Sequence, residues 1–439
     1  MKRTLTAVLL SAAVLSLAAC GGKKEAAPPA GAPQASAPAA GAGGTRETVT
    51  LRMLAMKQAA YSDASVQAMV KKFEEKNPGI KVDVTFVPYE ALHDKIVTDQ
   101  ASGAGEFDVV LVDEIWPAEF AAAGFIRDLS DRLTPEMKEG IVPAVARILE
   151  VNGKTYGIPW ILDTKFLFYN KDMLAKAGFS APPKTWDELL EQARAIKQKG
   201  IVEYPIIWSW GQAEAVICDY TPLVYSWGGE ILAPDGSPRF QSGPALEAVK
   251  WMVKTLDEKL TNPNSTSALE EDVRQVFSQG QAAFALNWTY MYALANDPKE
   301  SKVAGQVGIA PFPAGPAGAY GVSGSMGLSI TKSSKHPDEA WKLIEFLTSF
   351  ENQKEYASES LPIWKKAFDN PDQIKAPREL VEAAKTQFAS IRGRPEFVPW
   401  YNNFSLKAQV ALQNILLKQK TPEAALSELA GQVESLRKS

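Results

Sequence analysis

The chain predicts an open α/β architecture, and three observations carry that prediction. Hydrophobic period 2 and period 3.6 alternate from residue 49 onward, one segment is a near-continuous apolar run, and Pro, Gly or Asn marks the changes of period. Val49, Leu51 and Met53 open a strand. Ser62 or Asp63 then caps a helix in which Val66, Met69, Val70 and Phe73 share one face, and Asn77-Pro78-Gly79 stops it. Ile80, Val82, Val84 and Phe86 alternate with Lys81, Asp83 and Thr85, the pattern of a half-buried strand. A second helix should run from about Tyr89 to Ala101. Phe107-Asp108-Val109-Val110-Leu111-Val112 follows, as expected of a parallel strand covered on both faces. Strand, helix, strand, helix, strand is a βαβ series.

A second unit begins near Gly157-Ile158-Pro159-Trp160 and continues through Ile161 to Asn170. Thr185 is a helix N-cap, and Glu188 three residues on completes a capping box before the apolar face of Leu189, Leu190, Ala193 and Ile196. Helix and strand alternate onward to about Leu286. Turns rich in Gly and Pro from Pro311 to Gly324 precede a strand around Leu328–Ile330. Pro337 then starts a helix that packs through Ala340, Trp341, Ile344 and Leu347. No internal repeat with a fixed period is found.

Ahead of this body, Lys2 and Arg3 precede an apolar run from Leu5 to Leu17, too short to span a bilayer and closed by small residues. This is the form of a secretory signal. Leu17-Ala18-Ala19-Cys20 resembles the lipobox of bacterial lipoproteins, in which the cysteine becomes the acylated N-terminus. Residues 21 to 47 are Gly, Ala, Pro, Ser and a few charges, with no periodicity from which a core could form. The expected order is a signal peptide over 1–19, a lipidated Cys20 with a linker over 20–47, and then about 390 residues, enough for two lobes.

Composition removes several functions. A net charge of −4 without a basic stripe argues against nucleic acid as a partner. Only two cysteines exist, so with Cys20 lipidated Cys218 has no disulfide partner; among Ala215, Val216 and Ile217 it reads as a buried thiol. The two histidines, His93 and His336, are far apart, which disfavours His-based zinc sites and a Ser-His-Asp triad. HExxH, CxxC, GxSxG and GxxxxGK[ST] are absent, and no cofactor or metal is expected. Carboxylate chemistry needs no such motif. Asp113-Glu114-Ile115-Trp116 lies just past the buried strand, where open parallel sheets bind ligands. A carboxylate there accepts paired hydrogen bonds and a Trp offers a flat apolar face. The competing reading makes Asp113 a helix N-cap and Trp116 a core anchor.

The order of further marks is more specific than any one of them. They are Phe73 to Val82 (FEEKNPGIKV), Phe107-Asp108-Val109-Val110, Tyr156-Gly157-Ile158-Pro159 and Phe168-Tyr169-Asn170-Lys171-Asp172. Pro183-Lys184-Thr185-Trp186, Gly228-Gly229, Phe277 to Ala283, Ala310-Pro311-Phe312-Pro313, Arg394-Pro395 and Pro399-Trp400-Tyr401 complete the set. Together they resemble the family-1 extracellular solute-binding proteins, the maltose- and trehalose-binding type of ABC-importer receptor. The resemblance covers nearly the whole chain after the linker. It implies a two-lobe periplasmic-binding-protein fold (type II, maltose-binding-like), each lobe an open α/β sheet with flanking helices, with a hinged cleft between them. The N-lobe would comprise 48–160 and 310–358, and the C-lobe 161–309 and 359–439. Crossings would fall near Pro159 to Lys165, near Ile309 to Pro313, and after the Trp341 helix.

The resemblance also implies a site. Asp113 matches an N-lobe carboxylate presented to sugar hydroxyls, Asp163 a polar residue at the first crossing, and Trp288 an aromatic platform. Arg394 and Trp400 match a C-terminal segment that reaches the cleft. In Ser323-Gly324-Ser325-Met326-Gly327, Met326 stands where several sugar-binding relatives carry Trp. Of the eleven Trp, Trp186, Trp251 and Trp341 fall at helical spacing and belong to the core. Trp208 and Trp210 would share one face of a continuing strand; if the strand ends there, Trp210 and Gln212 turn to the cleft, the arrangement expected here. Trp227 and Trp364 stay open between cleft and core. The expected ligand-binding set is therefore Asp113, Trp116, Asp163, Trp210, Gln212, Trp288, Ser325, Met326, Arg394 and Trp400.

The function this implies is a non-enzymatic, lipid-anchored, extracytoplasmic monomer that binds an oligosaccharide, disaccharide or related polyol. It would present that ligand to the transmembrane subunits of an ABC permease. The rival is a secreted carbohydrate-active enzyme in which two of Asp113, Glu114 and Asp163 act as acid and base, which requires carboxyls ~5–9.5 Å apart.

Overall fold

The computed structural model of the protein describes residues 48–438 except Ala59. The expected signal peptide, Cys20 and the linker lie outside the described residues. Two sheets organise the body. The first has five strands in the order Ile80–Val87, Val49–Met56, Val109–Asp113, Met326–Ile330 and Ile158–Ile161. Its first three strands run parallel, and Met326–Ile330 is antiparallel to both of its neighbours. The helices Asp63–Lys76 and Tyr89–Ser102 are the crossovers of the parallel part. All five residues of Val109–Asp113 are buried, which is why this strand lacks alternation.

Local signals act as expected. Ser62 Oγ accepts from Ser65 N at 3.2 Å, and Thr185 Oγ1 from Glu188 N at 3.1 Å. The Glu188 carboxylate reaches Lys184 N at 2.7 Å, one residue earlier than a capping box predicts. Pro337 opens the helix Pro337–Thr348, whose Phe346 ring meets Phe73 at 5.7 Å and so joins two helices over the first sheet.

The second sheet has four strands in the order Val307–Ala310, Lys165–Asn170, Phe284–Trp288 and Ile206–Ile207. Only the last pair is parallel. The helices Trp186–Gln198, Glu214–Ser226, Gly243–Asp257 and Glu270–Ser278 surround it, and the C-terminal helices Tyr401–Leu416 and Pro422–Lys438 pack on that side.

The chain passes between the sheets at Leu162–Thr164, and the other two passages lie away from the expected boundaries. Val307–Ala310 belongs to the second sheet, Phe312 N donates to Gln387 Oε1, and Ala314 bridges Thr185. The return to the first sheet comes at Ser323–Ser325, not at residue 310. Residues 359–369 also stay with the first sheet: Leu361 bridges Leu162, and Trp364 bridges Ile141. The chain leaves only before the helix Arg378–Phe388, which packs against Val307–Ala310. A Gly/Pro-rich turn signals a change of direction but not the sheet on which the next residues land.

Candidate functional site

The two sheets face each other across a cavity of about 460 Å³. Strand ends of the first sheet supply Met56, Asp113, Ile161 and Met326; the second contributes Trp288, with Glu214 and Glu270 from adjoining helices. Asp113 is the last residue of the buried central strand, so its side chain leaves the sheet at the edge where ligands enter. Its Oδ2 accepts from Tyr89 Oη at 2.9 Å, and its Oδ1 from Arg394 Nη2 at 2.8 Å and from Ile115 N at 3.3 Å.

Arg394 connects the lobes. Besides Asp113 it donates through Nη1 to Glu214 Oε1 at 2.9 Å, and Nη2 lies 3.5 Å from Glu114 Oε1. Tyr401 Oη and Ser405 Oγ also donate to Glu214. Burial disfavours the Arg394 cation, yet Asp113 and Glu214 outweigh it and hold the guanidinium protonated. Burial pushes the Glu114 carboxyl up to about 8 against the opposing pull of Arg394, and raises Glu214 as well.

Asp163 sits at the first crossing, 5 % exposed. Its Oδ1 takes three donors: Thr289 Oγ1 at 2.5 Å, Thr289 N at 3.1 Å and Thr164 N at 2.9 Å. Its Oδ2 takes none among the described residues, and the side chain lines the cavity. Burial pushes it up to about 7.

Trp288 ends its strand beside this carboxylate. Its Nε1 donates to Glu270 Oε1 at 3.3 Å, and Lys165 Nζ lies 5.2 Å from the ring centroid. A Cβ on Gly324 would come within 2.4 Å of the ring, so only glycine at the second crossing lets the indole lie there. Lys165 is fully buried and bonds Ser209 Oγ and Asp219 Oδ1, each at 2.7 Å, with Glu270 Oε1 at 3.3 Å. It is a buried ion cluster wholly on the second lobe, behind the platform.

The structure brings together half of the expected set. Asp113, Asp163, Trp288, Met326 and Arg394 line one cavity. Trp116, Trp210, Gln212, Ser325 and Trp400 do not, each for a physical reason. Trp116 is buried behind Tyr89, stacked on it at 5.7 Å and packed on His93 and Phe120, so Tyr89 holds the cavity position instead. Trp210 is fully buried and stacks on Trp208 at 4.9 Å and 15°. The i, i+2 geometry thus keeps both indoles on one face, and the expected turn of Trp210 to the cleft is corrected. Gln212 is exposed to solvent outside the cavity. Ser325 is buried and pins the crossings together: Asp163 N donates to its Oγ, which donates to Asp163 O. Trp400 is half-buried beside Gly236.

Trp364 resolves to the core, its indole N–H donating to Thr348 O at 2.8 Å, and Trp227 packs on Trp251. Cys218 is a buried thiol whose pKa burial raises, which leaves it protonated, and it also lines the cavity. Sequence reasoning missed Tyr89, Glu214, Glu270 and Lys165. Glu214 and Glu270 left a local trace, each as an acid at the start of a helix where the dipole favours it.

Residues 59–354 match the model of the bacterial extracellular solute-binding proteins. A putative binding protein of Brucella abortus (strain 2308) is 30% identical over 396 residues, covering 88% of this chain and 93% of the relative. A probable ABC transporter-binding protein of Deinococcus radiodurans is 30% identical over 374 residues, covering 82% and 88%. Among solved structures, maltose-bound MalE3 of T. maritima superposes with a TM-score of 0.82 at 32% identity, covering 89% of this chain and all of that one. The protein belongs to the bacterial extracellular solute-binding family, with the two-lobe architecture of the maltose-binding ABC-transporter receptors.

Proposed function

We propose that this receptor takes a sugar or polyol into the cavity between its lobes, does not convert it, and hands it to the transmembrane subunits of an ABC importer. Lipid on Cys20 would hold it at the outer face of a membrane. One observation carries the ligand class: an indole face, Trp288, stands beside Asp163 and across from the Asp113–Arg394 pair in one cavity. Sugar rings have apolar C–H faces that lie on indole, and hydroxyls that need planar partners. A buried hydroxyl left unpaired costs ~1–3 kcal/mol, so placed carboxylates and a guanidinium suit it. Groups from both lobes line the cavity, which is what gives a ligand higher affinity for the closed form.

The enzymatic rival needs two carboxyls facing one ligand. Glu114, pushed up to about 8 by burial, is engaged by Ser323 and Arg394 and is not among the residues lining the cavity. Asp113 and Asp163 both line it, but Asp113 has both oxygens taken by Tyr89, Arg394 and Ile115. That supports binding without turnover. Calorimetry of the protein lacking residues 1–19, against a panel of mono- and disaccharides and polyols, tests the reading. Stoichiometric binding with unchanged ligand in the recovered supernatant is expected. Accumulating hydrolysis products would establish the enzyme instead, and no binding by any member would remove the sugar reading. Cys20→Ser should move the protein from the membrane to the soluble extracytoplasmic fraction, because acyl chains supply the anchoring at ~0.8 kcal/mol per buried CH₂. A Cys20→Ser protein still firmly on the membrane would remove the anchor.

A further inference from the structure

The charges around the cavity do not balance. Six carboxylates line it, Glu90, Asp113, Asp163, Glu214, Glu270 and Glu271, against two cations, Lys57 and Arg394. Those cations and the ones behind the wall are already engaged or remote. Arg394 is shared by Asp113, Glu214 and Glu114. Lys165 is shared by Asp219 and Glu270, and Arg274 holds Glu271 at 2.5 Å. Lys57 and Glu90 are exposed at the rim. What remains is Asp163: buried, lining the cavity, with no cation within salt-bridge distance and with Oδ2 free of any hydrogen bond among the described residues. Its one satisfied oxygen is held by neutral donors of Thr164 in the crossing and of Thr289 just after the strand Phe284–Trp288, so the open oxygen is fixed in place rather than mobile.

We infer that the ligand is a polyhydroxylated molecule carrying a protonated amine, and that the amine docks on Asp163 Oδ2. The inference rests on the sugar or polyol reading and narrows it. Facing a hydroxyl, this carboxyl must either hold a proton or keep a buried charge uncompensated; an ammonium supplies both the donors and the countercharge and lets it ionise. The same surplus of carboxylates repels an anionic ligand, so a sugar acid meets a penalty where the amine meets a partner. Burial holds Asp163 up at about 7 in the empty protein, a cost that a bound cation removes.

Calorimetry with matched triplets reads this directly: glucose, glucosamine and glucuronate; mannose, mannosamine and mannuronate; sorbitol, 1-amino-1-deoxysorbitol and gluconate. Within a series that binds, the amine should bind at least about tenfold tighter than the neutral member, and the acid weakest. In Asp163→Asn the amine preference should shrink to about threefold or less, with apo melting recorded to confirm folding. Should that variant fail to fold, the ranking on the unaltered protein still decides. A neutral or acidic member binding as tightly as its amine overturns the inference and leaves the sugar receptor standing. A tenfold amine preference that survives in folded Asp163→Asn overturns the assignment to this residue. Binding by no member of any series overturns the inference, and the sugar reading falls with it only if the disaccharides of the wider panel also fail to bind.

Discussion

Two buried cations anchor the region of the cavity, and they are built differently. Lys165 has all its partners, Ser209, Asp219 and Glu270, on the second lobe, and it is fully shut from solvent. Arg394 reaches Asp113 on the first lobe and Glu214 on the second, and it lines the cavity itself. A cation paired within one lobe is part of that lobe's folded core, whatever the cleft does. A cation paired across lobes is satisfied only in the arrangement that brings both carboxylates together, so its energy belongs to the relation between lobes. Similar chemistry therefore serves scaffolding in one place and closure in the other.

Lys165→Met should have the largest effect on stability. It strands Asp219 and Glu270 without a cation, and breaking a buried pair this way costs ~3–5 kcal/mol. Thermal melting of the ligand-free protein should fall by many degrees; a drop no larger than that of Arg394→Met would dissolve the comparison. Arg394→Met should instead lose ligand affinity by at least about tenfold, with a smaller loss of melting temperature, because parting lobes lets water reach Asp113 and Glu214. Measuring both quantities on both variants gives opposite rank orders if the division holds.

Asp113→Ala removes a charge-assisted bond of ~1.5–3 kcal/mol and should weaken ligand binding roughly ten- to a hundredfold with little change in apo melting. Trp288→Ala should weaken binding at least as much. Trp341→Ala, a buried helix residue of the first lobe, should do the reverse, costing ~3–5 kcal/mol of stability with affinity kept. Calorimetric binding and apo melting of the three proteins check this, and normal binding with early melting in the first two would make them packing residues.

The remaining comparison concerns pH. Burial holds the folded Glu114 carboxyl up at about 8, well above the ordinary 4.5 it has in the unfolded chain. Between those values the folded protein holds a proton that the unfolded chain has released, so stability declines as pH rises through the window. Apo melting temperature should fall from pH 5 to 8, and Glu114→Gln should flatten that slope. An unchanged slope in Glu114→Gln would show that the Arg394 cluster does not couple to pH through this carboxyl.

The comparison also marks how far the residues could be read in one dimension. The strand ending at Asp113 and the helix capped by Ser62 were legible because their causes are local: apolar runs and periods, a side-chain oxygen two or three residues from the N–H it caps. The resemblance carried Asp113, Asp163, Trp288 and Arg394 to the cavity, since order along the chain preserves which strand end each occupies. The strand-face and strand-end readings misplaced Trp210 and Trp116, where the decision lay in neighbours far away in sequence or in a competing ring. Trp208 and Trp251 hold the first of that pair's cluster in the core, and Tyr89 took the cavity position from the second.

By itself, then, the sequence determined the elements, the α/β class and the strand ends at which chemistry is presented, because hydrophobic period and capping act over a few residues. Only the tertiary structure decided that Arg394 meets Asp113 across 281 positions of chain, that Lys165 is neutralised by Asp219 and Glu270, and that residues 311–322 stay with the second sheet. Those outcomes depend on how burial and charge are satisfied in three dimensions. A buried ion takes whichever counter-ion the packed lobes bring within about 3 Å, and no local pattern encodes that choice.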